Sequence, residues 1–478
     1  MLAPMRATLF VLYLAVLVLA PLPLGSNRPW SWSLLAAALG ALTAAWAVGA
    51  LLRPRTVTTA LPTGLVVLFL AVLGWAGVQA WSGTPEAWHH PLWSVSAEVQ
   101  ARAGAEGPGT AAPAIADSAT GADLTGPGAI SLAPDDTWTA LMRLLSYGLA
   151  FFLAFQLCRE AARARALFRA LAGIGLLASV YGLASYWGGP DGHRFLFFWE
   201  MDWRPAVHGT FVNRNHFATW LGLCLLCLLA LFHDAVAVKR RNPAYQLPGQ
   251  HEVRLEDFLA RAWPYLAALI VMTAALILTH SRGGFLATVA GGVSLLVLLD
   301  RRQRTGTTRS RAALAAAVAV SLAAFFITNE VLLERFDRTS PAAEGRLLAF
   351  ELTREGIGDS PLYGFGYGTF ADSFRLYRDE ALEGFFDKTH NTYLENLFEL
   401  GWLAALALFA CVGWAALICL RGVRTRGRDW VYPATGVAAT VLVGSHALVD
   451  FSLQIPATAV TFAALLGAAV AQSYSSRR

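Results

Sequence analysis

Long apolar stretches separated by short polar ones dominate this chain. Twelve of them, at 7–24, 31–52, 63–82, 138–158, 166–187, 215–232, 262–279, 283–299, 312–328, 400–420, 431–449 and 456–473, are continuously apolar and rich in Leu, Ala and Val. At ~1.5 Å per residue, roughly 17 to 22 residues make a helix that crosses a ~30 Å hydrocarbon core. A membrane β-barrel would instead show segments of ~10 residues with alternating hydrophobicity. The pattern predicts an all-α, polytopic integral membrane protein with about twelve transmembrane helices. The first stretch shares features with a signal peptide, since Arg6 precedes it and Gly25-Ser26 follows. No small-x-small cleavage site precedes that break, so it is read as a span.

Two connections are too long to be turns. Residues 83–136 are low in complexity: Ala, Gly and Pro make up 19 of the 30 residues from Ala101 to Ile130, too little apolar bulk to bury a core. This loop is expected to be mobile. Residues 329–390 instead alternate apolar and charged positions, as in Arg346, Leu347, Leu348, Phe350 and Leu352, then Phe365, Tyr367, Phe370, Phe374 and Tyr377. Those spacings predict short amphipathic helices, either lying on the membrane or folded as a cap before the tenth span. The whole chain, 1–478, reads as a single polytopic membrane domain carrying these two loops.

Composition agrees, with 56% hydrophobic residues and only 14% charged ones where soluble domains carry about 25%. The net charge of +5 arises from 37 basic and 32 acidic residues, and Lys239 and Lys388 are the only lysines. In a membrane protein such an excess reports topology before it suggests nucleic acid. With the N-terminus inside, 23 of the 37 basic residues fall in Arg6, the five inner connections and the Arg477-Arg478 tail, although the outer loops are longer. Both termini are therefore expected to be cytoplasmic and the two long loops external. Cys158, Cys224, Cys227, Cys411 and Cys419 all lie in or at the ends of apolar runs, which suits helix packing better than disulfides or metal.

In this topology most spans carry no central charge, and the polar residues gather at the outer ends. His208, Asn213, Arg214, Asn215 and His216 precede the sixth span; Thr279, His280, Ser281 and Arg282 join the seventh to the eighth; Arg346, Lys388, His390 and Asn391 precede the tenth; Asp450 ends the eleventh. Ionisable groups beside hydrocarbon are costly and usually pair or line a site. Arg282 stands in a turn so short that it must lie at the membrane boundary, with Gly283 and Gly284 permitting close backbone approach. Alone it reads equally as an arginine reaching for lipid phosphate. Arg214, at a helix start that favours anions, adds a second guanidinium at the same depth, and two planar forks suit a phosphate. Thr392 and Glu395 have the spacing of a capping box, so a helix is expected to begin after His390. That position and the nearby arginines favour a neutral imidazole able to accept a proton, against the plainer reading of His390 as a cap or anchor. No two of His208, His216, His280 and His390 share a metal-ligand helix spacing, and no cofactor is expected. Gly364-Phe-Gly-Tyr-Gly368 lacks the strand-to-helix setting of a nucleotide loop and reads as close backbone packing.

Four stretches together resemble the O-antigen ligase and O-antigen polymerase family: Gly209-Thr-Phe-Val-Asn-Arg-Asn-His-Phe217, His280-Ser-Arg-Gly-Gly284, Arg346 with Pro361-Leu-Tyr-Gly-Phe-Gly-Tyr-Gly-Thr-Phe370, and His390-Asn-Thr-Tyr-Leu394 with Gly401. The resemblance spans most of residues 140–470, and residues 83–136 fall outside it. It implies a glycosyltransferase of the bacterial inner membrane whose periplasmic site moves a glycan from an undecaprenyl diphosphate donor to an acceptor hydroxyl. Arg214 and Arg282 would bind the diphosphate and His390 would be the base. Arg346, His216, His280 and Asn391 are weaker substrate-binding candidates. The acceptor would be lipid A core for a ligase, a second lipid-linked glycan for a polymerase, or Ser or Thr for a protein-glycosylating relative; the last is disfavoured because no long soluble domain follows the twelfth span. Neither a metal nor nucleic acid is expected as partner. The competing class is a twelve-helix transporter, which would place polar groups near the bilayer midplane in matching halves.

Overall fold

The computed structural model describes residues 2–52, 61–105, 128–188, 206–241, 255–303, 341–378, 382 and 386–474. Helices occupy eleven of the twelve predicted stretches, and no strand forms among the described residues. They are α1 (Leu2–Leu19), α2 (Pro29–Leu51), α3 (Thr63–Ala80), α5 (Pro134–Leu157), α6 (Ala161–Gly188), α7 (Arg214–Arg241), α8 (Leu255–Leu278), α9 (Arg282–Gln303), α11 (Thr392–Thr425), α12 (Val431–His446) and α13 (Pro456–Ser473), with α4 (Leu92–Ala105) and α10 (Pro341–Asp359) in the loops. The twelfth stretch, 312–328, lies outside the described residues. Among the described residues, eight helices are long and apolar enough to cross a membrane, and α1 and α8 hold shorter apolar segments, Met5–Leu19 and Ala262–Leu278. The protein is a multi-pass helical membrane protein.

Proline opens α2, α5 and α13, where its missing N–H is no loss and its φ suits the first turn. The centre of the bundle is α13 with α7: 89% and 83% of their apolar windows are buried, against 17% for the peripheral α2. Small residues make this possible, because helices in lipid associate through close van der Waals contact. Gly467 of α13 lies against the Phe151 carbonyl of α5, and Gly436 of α12 against Ala469 and Cys419. Hydrogen bonds between helices add to this: Tyr13 donates to the Ala150 carbonyl at 2.7 Å and Trp220 Nε1 to Thr461 Oγ1 at 3.1 Å. All five cysteines are buried and free, as their placement suggested.

One end of the bundle is covered by a cap. Its core joins Ala349 and Ile357 of α10 to Phe365, Phe370 and Phe374 and to Phe398 near the start of α11. It docks where α11 is interrupted at Gly401, whose φ of 74° and ψ of 168° lie in a region open only to glycine. The interruption frees backbone groups that the glycine-rich run takes up: Phe365 N donates to Phe398 O at 3.1 Å, Gly366 N to Glu399 O at 3.0 Å and Trp402 N to Pro361 O at 2.8 Å. Gln79 of α3 completes the joint, donating to the carbonyls of Tyr363 and Glu399 at 2.7 and 2.8 Å and accepting from Tyr367 N at 3.2 Å. The glycine run is thus a packing element, as read. Gly401→Ala should destabilise the protein by ~1–3 kcal/mol, since it adds backbone strain and pushes a methyl into the Leu362 backbone. Gly40→Ala, where nothing stands within 4 Å, should not. Melting of the two variants in detergent checks the contrast.

The low-complexity loop departs from expectation at both ends. Residues 92–105 form α4, and Ser131 and Leu132 thread between α3 and the cap, donating to Gln79 O at 2.8 Å and Phe365 O at 3.2 Å. Trp93, Ile130 and Leu132 are buried there. Of these anchors only Ile130 falls within the Ala- and Gly-rich stretch from Ala101 to Ile130; Trp93 and Leu132 flank it. Residues 106–127 lie outside the described residues.

Candidate functional site

Three of the helices that begin at the capped end have a side-chain N-cap beside a candidate residue. Asn213 Oδ1 accepts from Asn215 N at 2.8 Å at the head of α7, placing Arg214 in its first turn. Ser281 Oγ accepts from Gly284 N at 3.3 Å at the head of α9, placing Arg282 likewise. Asn391 Oδ1 accepts from Tyr393 N and Leu394 N at 3.0 and 3.1 Å at the head of α11, directly after His390. Such starts are favoured because uncapped N–H groups have no partner inside the helix. Each start also carries roughly half a positive charge, so the three favour an anion.

The predicted capping box is corrected here. Asn391 is the cap, Thr392 N donates to the Ala447 carbonyl at 2.9 Å and Thr392 Oγ1 to the Asp450 carbonyl at 2.9 Å. Glu395 turns away to Lys388 Nζ at 3.0 Å, Thr389 N at 3.1 Å and Gln454 Nε2 at 2.7 Å. Glu395 is fully buried, and a partner on three sides is what makes its burial tolerable. Burial works to lower the pKa of Lys388, but Glu395 and Glu399 together more than offset this and hold the ammonium above its ordinary value.

Phe451 is the pivot of the cluster. His390 meets its ring edge-on at 5.0 Å between centroids and His216 at 4.6 Å, so α7 and the head of α11 are held to the turn after α12. Asp450, 1% exposed, accepts from Ser452 Oγ and lies 3.8 Å from His216 Nε2 and 3.9 Å from His446 Nδ1. Thr219 Oγ1 is 2.6 Å from His446 Nδ1 and donates to Ser452 Oγ at 2.9 Å. His446 reaches α9 as well, because Gly283 leaves room for its Nε2. His390 stands in the left-handed region at φ 58°, with Nδ1 buried and unpartnered among the described residues. Thr389 Oγ1 and Asp450 Oδ1 are likewise without a hydrogen-bond partner, as is His216 Nε2, whose contact with Asp450 is longer than a hydrogen bond. Buried polar atoms without a partner are few in folded proteins, and four of them meet in this cluster. Burial first, and then Arg346 on α10, hold the His390 pKa below the ordinary imidazole value.

The structure therefore brings His390, His216 and Asn391 together with the heads of α7 and α9 that carry Arg214 and Arg282. Arg346 is exposed on the cap within electrostatic reach of His390. His280 occupies the left-handed turn between α8 and α9 at φ 52°. Sequence reasoning missed His446, Thr219 and Ser452, which lie on apolar helices or beside them. It also missed Arg143, a cation ten residues into α5. The polar cluster at one end of an otherwise apolar bundle marks a multi-pass membrane protein with a terminal polar site. Residues 267–409, from α8 to the middle of α11, match the family model of the O-antigen ligases, in agreement with the motif resemblance. That segment contains Arg282, Arg346 and His390. No curated protein matches the chain.

Proposed function

We propose that the protein is a glycosyltransferase of the bacterial inner membrane, with both termini cytoplasmic and the capped end in the periplasm. It takes a glycan from undecaprenyl diphosphate and passes it to an acceptor hydroxyl, most simply the lipid A core as an O-antigen ligase. The observation that carries this reading is the convergence of a base-competent histidine and three helix N-termini, two of them bearing arginine, at one end of the bundle. His390 removes the proton from the acceptor hydroxyl as its oxygen bonds to the anomeric carbon. The bond from that carbon to the diphosphate oxygen breaks, and the electron pair leaves with the diphosphate, whose growing charge Arg214 and Arg282 neutralise. Attack from the opposite face inverts the anomeric configuration. His216 and Asn391 stand beside His390 and help place the substrates, with Arg346 and His280 as further substrate contacts. With arginines supplying the positive charge, neither metal nor other cofactor takes part.

Purified protein given a polyprenyl-diphosphate oligosaccharide in EDTA should transfer the glycan, with lipid A core and a second donor molecule offered separately as acceptors. Consumption of lipid A core identifies a ligase, and consumption of the second donor a polymerase. No transfer to either acceptor, with donor moved across vesicles, would return the carrier class.

A further inference from the structure

Beside α12, on the side away from α7 and α9, lies a cavity of about 650 Å³ between α3, α5, α11, α12 and α13. One face of α12, at Ala438, Leu442 and His446, packs on Gly291 and Gly283 of α9. The other, at Thr440, Val443, Gly444 and Ala447, lines the cavity. The wall is mainly apolar, and it includes Val66, Leu70 and Leu145, which are exposed on the lipid-facing surface, so the cavity opens sideways towards the bilayer.

Its polar part carries the cations Arg143 and Lys388 beside the buried carboxyl of Glu399, and Lys388 is already paired with Glu395 at 3.0 Å. Arg143 lies about 13 Å down α5 from the helix start, by the rise per residue, and lines the cavity together with Lys388. An arginine inside a span is expensive and marks a partner or a ligand. Arg143 makes no ion pair among the described residues; its guanidinium lies over the Trp32 ring at 4.9 Å. Lys388 is two residues from His390, and Thr392, two residues beyond it, also lines the cavity.

We infer that this cavity holds a lipid bearing an anionic phosphomonoester, its phosphate on Arg143 beside Lys388 and its chain in the apolar slot. A planar guanidinium binds phosphate oxygens bidentately, and the lateral opening selects a lipid over a soluble phosphate. Resting on the function proposed above, this lipid is the acceptor, delivered to His390 from the side of α12 opposite the arginines that grip the donor.

Binding tests this without requiring catalysis. The Arg214→Gln/Arg282→Gln protein, in which the donor side is silenced, is exchanged into mixed micelles with phosphatidic acid, chain-matched phosphatidylcholine or diacylglycerol, and retained lipid is read by native mass spectrometry. Phosphatidic acid should be retained about ten-fold better than either, the size of one charge-assisted hydrogen-bonded contact. Adding Arg143→Gln should abolish that preference, and Arg143→Lys should keep part of it. Ala463→Phe, which fills the apolar wall, should lower retention of all three lipids. Inorganic phosphate at millimolar concentration should displace nothing. Equal retention of the three lipids, unchanged preference in Arg143→Gln, or displacement by inorganic phosphate would each overturn the proposal, whatever the transfer assay shows. Failed transfer with this binding pattern intact would overturn the glycosyltransferase reading and leave the lipid site.

Discussion

Alanine in place of His390 is expected to lower glycan transfer by about 10²- to 10⁴-fold, the usual contribution of a positioned base, while donor binding persists. Apart from its ring contact with Phe451, the loop around it is held by groups other than the imidazole. Thr389 N is held by Glu395, Asn391 caps α11, and Thr392 is tied to Ala447 and Asp450. The left-handed backbone at position 390 is a mild cost for alanine, so His390→Asn, which tolerates that region, provides a second variant with the same expected loss. The pH profile separates a base from a spacer. Only neutral imidazole accepts a proton, so kcat/KM should fall as pH drops through the His390 pKa. Burial and Arg346 hold that pKa below the ordinary imidazole value, so the acid limb should lie below pH ~6.5. Arg346→Gln removes a positive neighbour and should move the limb to higher pH. Undiminished transfer by both His390 variants, or a profile indifferent to Arg346, would remove His390 from the chemistry.

The helices were legible because lipid imposes long apolar runs with polar ends, and eleven of the twelve runs appear as helices, although α7, α8 and α11 run seven to nine residues past a predicted bound. The candidate residues that stand beside helix caps were legible for a local reason: Asn-Arg, Ser-Arg and His-Asn are each one step along the chain. What lies across the chain was not. The contacts of Asp450 with His216 and of Thr219 with His446 join residues from α7 to the turn after α12, and only packing creates them. Arg143 escaped notice because its apolar neighbours make the run look unbroken. The capping box misled because Glu395 had a better partner in Lys388, which spacing alone does not reveal.

Lysine at Arg214 or Arg282 keeps the charge and should nonetheless cost transfer heavily. The charge that matters appears on the diphosphate only as the glycosidic bond breaks, and losing one fixed donor to such a charge costs about 10²- to 10³-fold. A guanidinium offers two parallel N–H groups to neighbouring phosphate oxygens from a rigid plane, whereas an ammonium offers one compact, mobile point. Arg282 also has little room to adjust, since the Gly283 that follows it is pressed against His446 and Val449. Each lysine variant should therefore lower kcat, with KM for the donor changing less, because ground-state binding needs charge more than geometry. If both arginines grip one diphosphate, the double variant should fall well short of the product of the single losses. Full activity in both lysine variants would make them anchors to lipid headgroups, and strictly multiplicative losses would place them on separate anions.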